Sequence, residues 1–67
     1  MAAVSSREVI RMLLDAGWAL DRVTGSHHMF KHPEHPEWGT VPVPHPKKDL
    51  GLGLLRNIEK QSRLKLR

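Results

Sequence analysis

Apolar positions change period twice along this chain, and the changes divide it into five elements. Val9, Ile10, Leu13 and Leu14, with Met12 and Ala16 alongside, recur at spacings of three and four. That repeat is one broad face of an α-helix, with Arg7, Arg11 and Asp15 on its other side. Ser5 followed by Glu8 has capping-box spacing, with Ser6 as a competing cap. Gly17 stands where a C′ glycine accepts positive φ and closes the helix.

From Trp18 to Val23 the period falls to two. Trp18, Leu20 and Arg22 are expected on one side of a strand of about six residues, with Ala19, Asp21 and Val23 on the other. Thr24-Gly25 predicts a hairpin turn, and Ser26 to Lys31 the returning strand. His27 and Met29 then face one way, His28 and Phe30 the other. His32 to Trp38 reads HPEHPEW; its two prolines cannot donate ladder hydrogen bonds, which makes it a loop. Gly39 to Val43 predicts a short third strand with Val41 and Val43 buried, and Pro42 points to an edge position or a strand cut short. Pro44 and Pro46 flank His45 in an extended connection.

A last helix begins within Asp49 to Gly53 and ends at Gln61 or Ser62. Leu55, Ile58 and Ser62 keep the helical repeat, and Leu54 broadens the stripe. Gly51 and Gly53 each disfavour helix interior by about 1 kcal/mol relative to alanine, which argues against an earlier start. Leu50 and Leu52 are expected to plug the core from the approach loop. The whole reads as an α+β fold of order α-β-β-β-α: a three-stranded antiparallel sheet with two helices on one face. Double-stranded-RNA-binding domains share that order and recognise RNA by shape, phosphates and 2′-hydroxyls. Topology alone is an analogy about function.

At 67 residues the chain is read as a single domain over 1–67, with an ordered core of about 5–62 and a basic C-terminal tail. Only about 60% of the unfolded surface is buried at such a size, so the core must be compact. There is no cysteine, which excludes disulfides and thiolate zinc sites. No apolar run approaches the length of a membrane span, and Met1 to Ser6 lacks the pattern of a secretory signal, so a cytoplasmic protein with no membrane partner is expected. Charge is unevenly placed. Four basic and five acidic residues precede Pro46; seven basic residues (Lys47, Lys48, Arg56, Lys60, Arg63, Lys65, Arg67) and two acidic ones follow. A basic end on a small domain favours a polyanion or an acidic protein as partner.

Five histidines (His27, His28, His32, His35, His45) are the oddest feature of the composition. A metal site would need three or four convergent ligands. His27 and His28 face opposite ways on a strand; His28 and His32 with His35 or Glu34 fit better, but no HExxH-like spacing occurs, so no metal or other cofactor is expected. The alternative is acid–base chemistry on a phosphodiester, for which an imidazole titrating near neutrality is the natural proton carrier. His27 follows Gly25-Ser26, whose turn amides can approach a phosphate.

Gly25-Ser26-His27-His28-Met29-Phe30 resembles the Gly-Ser-His-x-x-aromatic motif of the HicA-type toxins, the small mRNA interferases of HicA–HicB toxin–antitoxin pairs. The resemblance extends through Leu13-Leu14-Asp15-Ala16-Gly17-Trp18, through Val41-Pro42-Val43-Pro44-His45, and through Gly53 to Gln61, so that about Ser5 to Gln61 is covered. Leu54 departs from the threonine usual after that glycine, Ser62-Arg63 stands where an Ala-Gly-like end is common, and the proline-rich loop is individual. The resemblance implies a double-stranded-RNA-binding-like fold, metal-independent endoribonuclease activity on single-stranded mRNA, inhibition of translation, and a cognate HicB-like antitoxin that masks the site. It makes His27 the catalytic residue. His45 is the best candidate for the second proton-transfer group if the third strand lies beside the second, with Lys47 or a water as the alternatives. Lys31, Lys47, Lys48 and Arg56 are expected to hold RNA phosphates with the amides of Gly25 and Ser26. His28 contributes RNA contact at most. Phe30 is expected in the core, and Trp38 as an exposed aromatic for a base or for the antitoxin. A non-catalytic RNA-binding module, or a domain binding an acidic protein, are the alternatives.

Overall fold

The computed structural model describes residues 4–66. Met1 to Ala3, part of the segment read for a leader, and Arg67 of the basic tail lie outside the described residues. Helix α1 spans Ser6–Asp15. Ser5 caps it: its Oγ accepts from the Glu8 N–H at 3.2 Å, and its hydroxyl donates to Glu8 Oε1 at 3.2 Å. At the other end Gly17 takes φ 95°, the Gly17 N–H reaches the Leu14 carbonyl at 3.1 Å, and the Trp18 N–H reaches that of Leu13 at 2.9 Å. These two bonds form a Schellman closure, and they deliver Trp18 into the core beside Leu13.

Strands β1 (Ala19–Thr24), β2 (His27–Lys31) and β3 (Thr40–Pro44) pair antiparallel in the order β1-β2-β3. Pro42 therefore sits on an edge strand, where its missing donor costs no central ladder bond. In β2 the expected alternation holds, with His28 paired to Val43 and Phe30 to Val41. In β1 it does not. Leu20 pairs with Phe30 and Arg22 with Met29, so Asp21 is the extra residue of a β-bulge. The bulge carries Val23 to the face of Leu20 and Arg22 to the face of Asp21, reversing the sequence expectation for both. Arg22 Nη1 lies 2.7 Å and Lys31 Nζ 3.8 Å from Asp21 Oδ2.

Helix α2 spans Leu52–Ser62. Val9 and Leu13 of α1, with Leu55 and Ile58 of α2, pack against Phe30, Val41 and Val43 on one face of the sheet; Trp18, Leu50 and Leu66 complete the core. Leu50 plugs the core as expected. Leu52 does not: it opens α2 and is 51% exposed. The packed chain also runs past Ser62. Arg63 turns it with φ 64°, the Leu66 N–H donates to Glu59 Oε2 at 2.7 Å, and the Leu66 side chain is buried. The helices leave the core face of β1 largely open: Leu20 and Val23 stay 48% and 52% exposed there.

Candidate functional site

The hairpin between β1 and β2 is a two-residue loop, with Thr24 paired to His27 across Gly25 and Ser26. Gly25 has φ 59° while Ser26 does not enter positive φ, the pattern of a type II′ turn whose first central position needs glycine. The turn sets His27 as the first residue of β2. Its side chain is exposed on the sheet face that no helix covers, alongside Thr24 and Pro44. Lys31 shares that face four residues further on, about 13 Å away at the strand rise, where Asp21 engages it.

His45 follows β3 directly, and its N–H donates to the Ser26 carbonyl at 2.7 Å, tying the connection to the hairpin tip. Its ring is on the other side of the sheet. Nδ1 lies 2.6 Å from Ser6 Oγ, and the ring meets that of His28 edge-on at 4.8 Å. The structure thus brings His45 to His28 and Ser6, and separates it from His27 by the thickness of the sheet. His28 Nδ1 is buried with no hydrogen-bond partner. Lys47 and Lys48 are exposed and line a groove with Ser5, Ser6, Arg7, His45 and Pro46. Arg56 is exposed on α2, on the helix side. Ser6 and Arg7 escaped the sequence reading. The only available signal was the Ser5-Ser6 doublet, since one helix needs one cap and leaves the second hydroxyl for another partner.

The remaining histidines gather at the opposite end of β2. His32 is 7% exposed. Its Nδ1 accepts from the Glu34 N–H at 3.2 Å, so Nε2 carries the proton and donates to the Ala16 carbonyl at 3.2 Å, one of the orphan acceptors at the end of α1. His35 and Trp38 stack at 3.8 Å with 8° between their planes; Trp38 also lies 5.9 Å from Trp18, with the Arg63 guanidinium 4.9 Å over it. Trp38 closes a 3₁₀ turn (Pro36–Trp38) and packs partly buried against the core. This overturns the expectation of an exposed platform for a base, because its faces are already occupied. Glu37's carboxyl is held below the usual carboxylate range by its own backbone N–H and by His35 Nδ1 at 3.1 Å. Among the described residues no three histidines or carboxylates converge as metal ligands.

A family model described as the HicA toxin of bacterial toxin–antitoxin systems matches residues 6–64. The chain belongs to the HicA toxin family. The match runs from the first residue of α1 through the hairpin, His45 and α2 to Leu64, so every candidate site residue lies inside it. As a HicA-family toxin the chain has a cognate antitoxin as its implied partner. No curated protein matches the chain. No helix among the described residues is long and apolar enough to cross a membrane.

Proposed function

We propose that this HicA-family toxin is a metal-independent endoribonuclease that cleaves mRNA in the cytoplasm, with His27 as its catalytic residue. The observation that carries the reading is the exposure of His27 directly after the Gly25-Ser26 turn, on the uncovered face of the sheet. In the reaction the RNA 2′-hydroxyl loses its proton and its oxygen attacks the adjacent phosphorus. The bond from phosphorus to the 5′-oxygen breaks, and that oxygen takes up a proton. The products are a 2′,3′-cyclic phosphate and a 5′-hydroxyl. His27 supplies one of the two proton transfers, an effect of about 10²–10⁴-fold.

The amides of Gly25 and Ser26 and the cationic side chains Lys31, Lys47, Lys48 and Arg56 are the candidate phosphate holders, with His28 at the margin. The antitoxin is expected to cover the His27 face, which would deny RNA its approach. Replacing His27 with alanine should remove cleavage of single-stranded RNA assayed in EDTA while the circular dichroism spectrum and antitoxin binding stay unchanged. Full cleavage by that variant would defeat the assignment. Retention of RNA without cleavage by the unaltered protein would favour the non-catalytic binding module instead.

A further inference from the structure

Ser6 is 1% exposed, yet its hydroxyl makes three polar contacts with a segment some forty residues away. The Lys47 N–H donates to Oγ at 2.8 Å, the Lys47 carbonyl lies 3.2 Å from it, and His45 Nδ1 lies 2.6 Å from it. A hydroxyl has one proton and two acceptor sites. All three contacts are satisfied together only when Nδ1 carries a proton and donates to Oγ. The hydroxyl proton is then free for the Lys47 carbonyl. Fixing Nδ1 in this way leaves Nε2 as the nitrogen that exchanges a proton or meets a ligand.

The ring so held lines a groove of about 620 Å³ together with Arg7, Lys47 and Lys48. Among the described residues no carboxylate lines it. Glu8 and Asp49, the carboxylates nearest in sequence, keep their charge but stand outside the lining, where Glu8 accepts from the Ser5 hydroxyl and Asp49 from the Gly51 N–H at 2.9 Å. Three cations and an imidazole line the groove, and they form a positive concavity that attracts phosphate. Because His45 and His27 lie on opposite sides of the sheet, the phosphate held here is not the one at which His27 acts.

We propose that this groove binds a phosphate of the RNA strand flanking the cleaved linkage, and that Ser6 is a positioning residue that presents His45 Nε2 to it. The inference rests on the RNA-cleaving reading above and extends it to Arg7, Ser6 and a second side of the sheet. The test uses the full chain carrying His27→Ala, so that binding of a labelled single-stranded RNA is read without cleavage over a range of salt. Adding Arg7→Ala should weaken binding by about tenfold and lower the salt slope by about one. Lys60→Ala, which removes the same charge outside the groove, should change neither. In ¹⁵N spectra His45 should show a protonated Nδ1, a signature lost in Ser6→Ala. Equal effects of Arg7→Ala and Lys60→Ala would overturn the proposal. So would an unprotonated Nδ1, or weakened antitoxin binding with RNA affinity intact. Cleavage surviving in His27→Ala is a separate result that strikes the catalytic reading alone, and absence of RNA binding would strike both.

Discussion

The two ends of β2 carry the same kind of side chain to opposite purposes. At the hairpin end His27 is exposed after a tight turn, and His45 is gripped through one nitrogen only. At the loop end His32 has both nitrogens committed to backbone groups, while His35, with only Nδ1 on Glu37, is held chiefly by its stacking on Trp38. An imidazole serves proton transfer when a nitrogen is left over; with none left over it is a rigid cross-link. Counting histidines therefore says little about chemistry, and counting their uncommitted nitrogens says a good deal.

The sharpest contrast is between alanine at His27 and alanine at His32. The first should lower the cleavage rate by about 10²–10⁴-fold with no change in melting temperature. The second should leave the rate per folded molecule intact. It should lower stability by about 1–3 kcal/mol, because the Glu34 N–H and Ala16 carbonyl lose their partner. Rate assays below the melting transition, paired with denaturant titration, read both quantities. A rate loss in the His32 variant equal to that in the His27 variant would erase the distinction.

Gly17→Ala tests the loop end from its other side. Gly17 holds φ 95°, and a Cβ there would lie 2.9 Å from His32 Nε2. Backbone strain of this kind costs about 1–3 kcal/mol, and the ring must also shift off the Ala16 carbonyl. Stability should fall, and the His27→Ala and Gly17→Ala effects should be independent. Full native stability in Gly17→Ala would show that His32 is free to move, contrary to its role as a cross-link.

How much of this was readable beforehand follows the range of the forces involved. Helix α1 was legible from Ser5 to Gly17 because its cap, apolar stripe and closing glycine are all local. Gly25 announced the hairpin for the same reason, and with it the placement of His27. The bulge at Asp21 was not legible, since a two-against-one pairing depends on β2 and six alternating residues look the same with or without it. Trp38 sits in a polar, proline-rich sequence, and its burial depends on Trp18 and Arg63, which are remote in the chain, as well as on His32 of its own loop. The orientation of His45 is set by Ser6, 39 residues earlier, through a hydroxyl that the sequence offered only as a spare cap. Of the candidate site, then, the part built on a turn was visible and the part built on tertiary contacts was not.

The smallest effect is expected at Glu37, and it carries a definite sign. The carboxyl is held below its ordinary pKa in the folded chain by its backbone N–H and by His35. A carboxylate with a lowered folded pKa contributes stability above its unfolded pKa and loses it as pH falls through the folded value. Glu37→Gln should therefore melt slightly below the unaltered chain at neutral pH, and the gap should close as the solution is acidified below about pH 4.5. Because the group is exposed, salt should narrow the gap at neutral pH as well. A gap that is constant with pH would mean that the carboxylate charge does nothing for His35, leaving the ring held by its contacts with Trp38 and His32. RNA cleavage should be the same in both proteins, since the His27 end of β2 shares no hydrogen bond with this one.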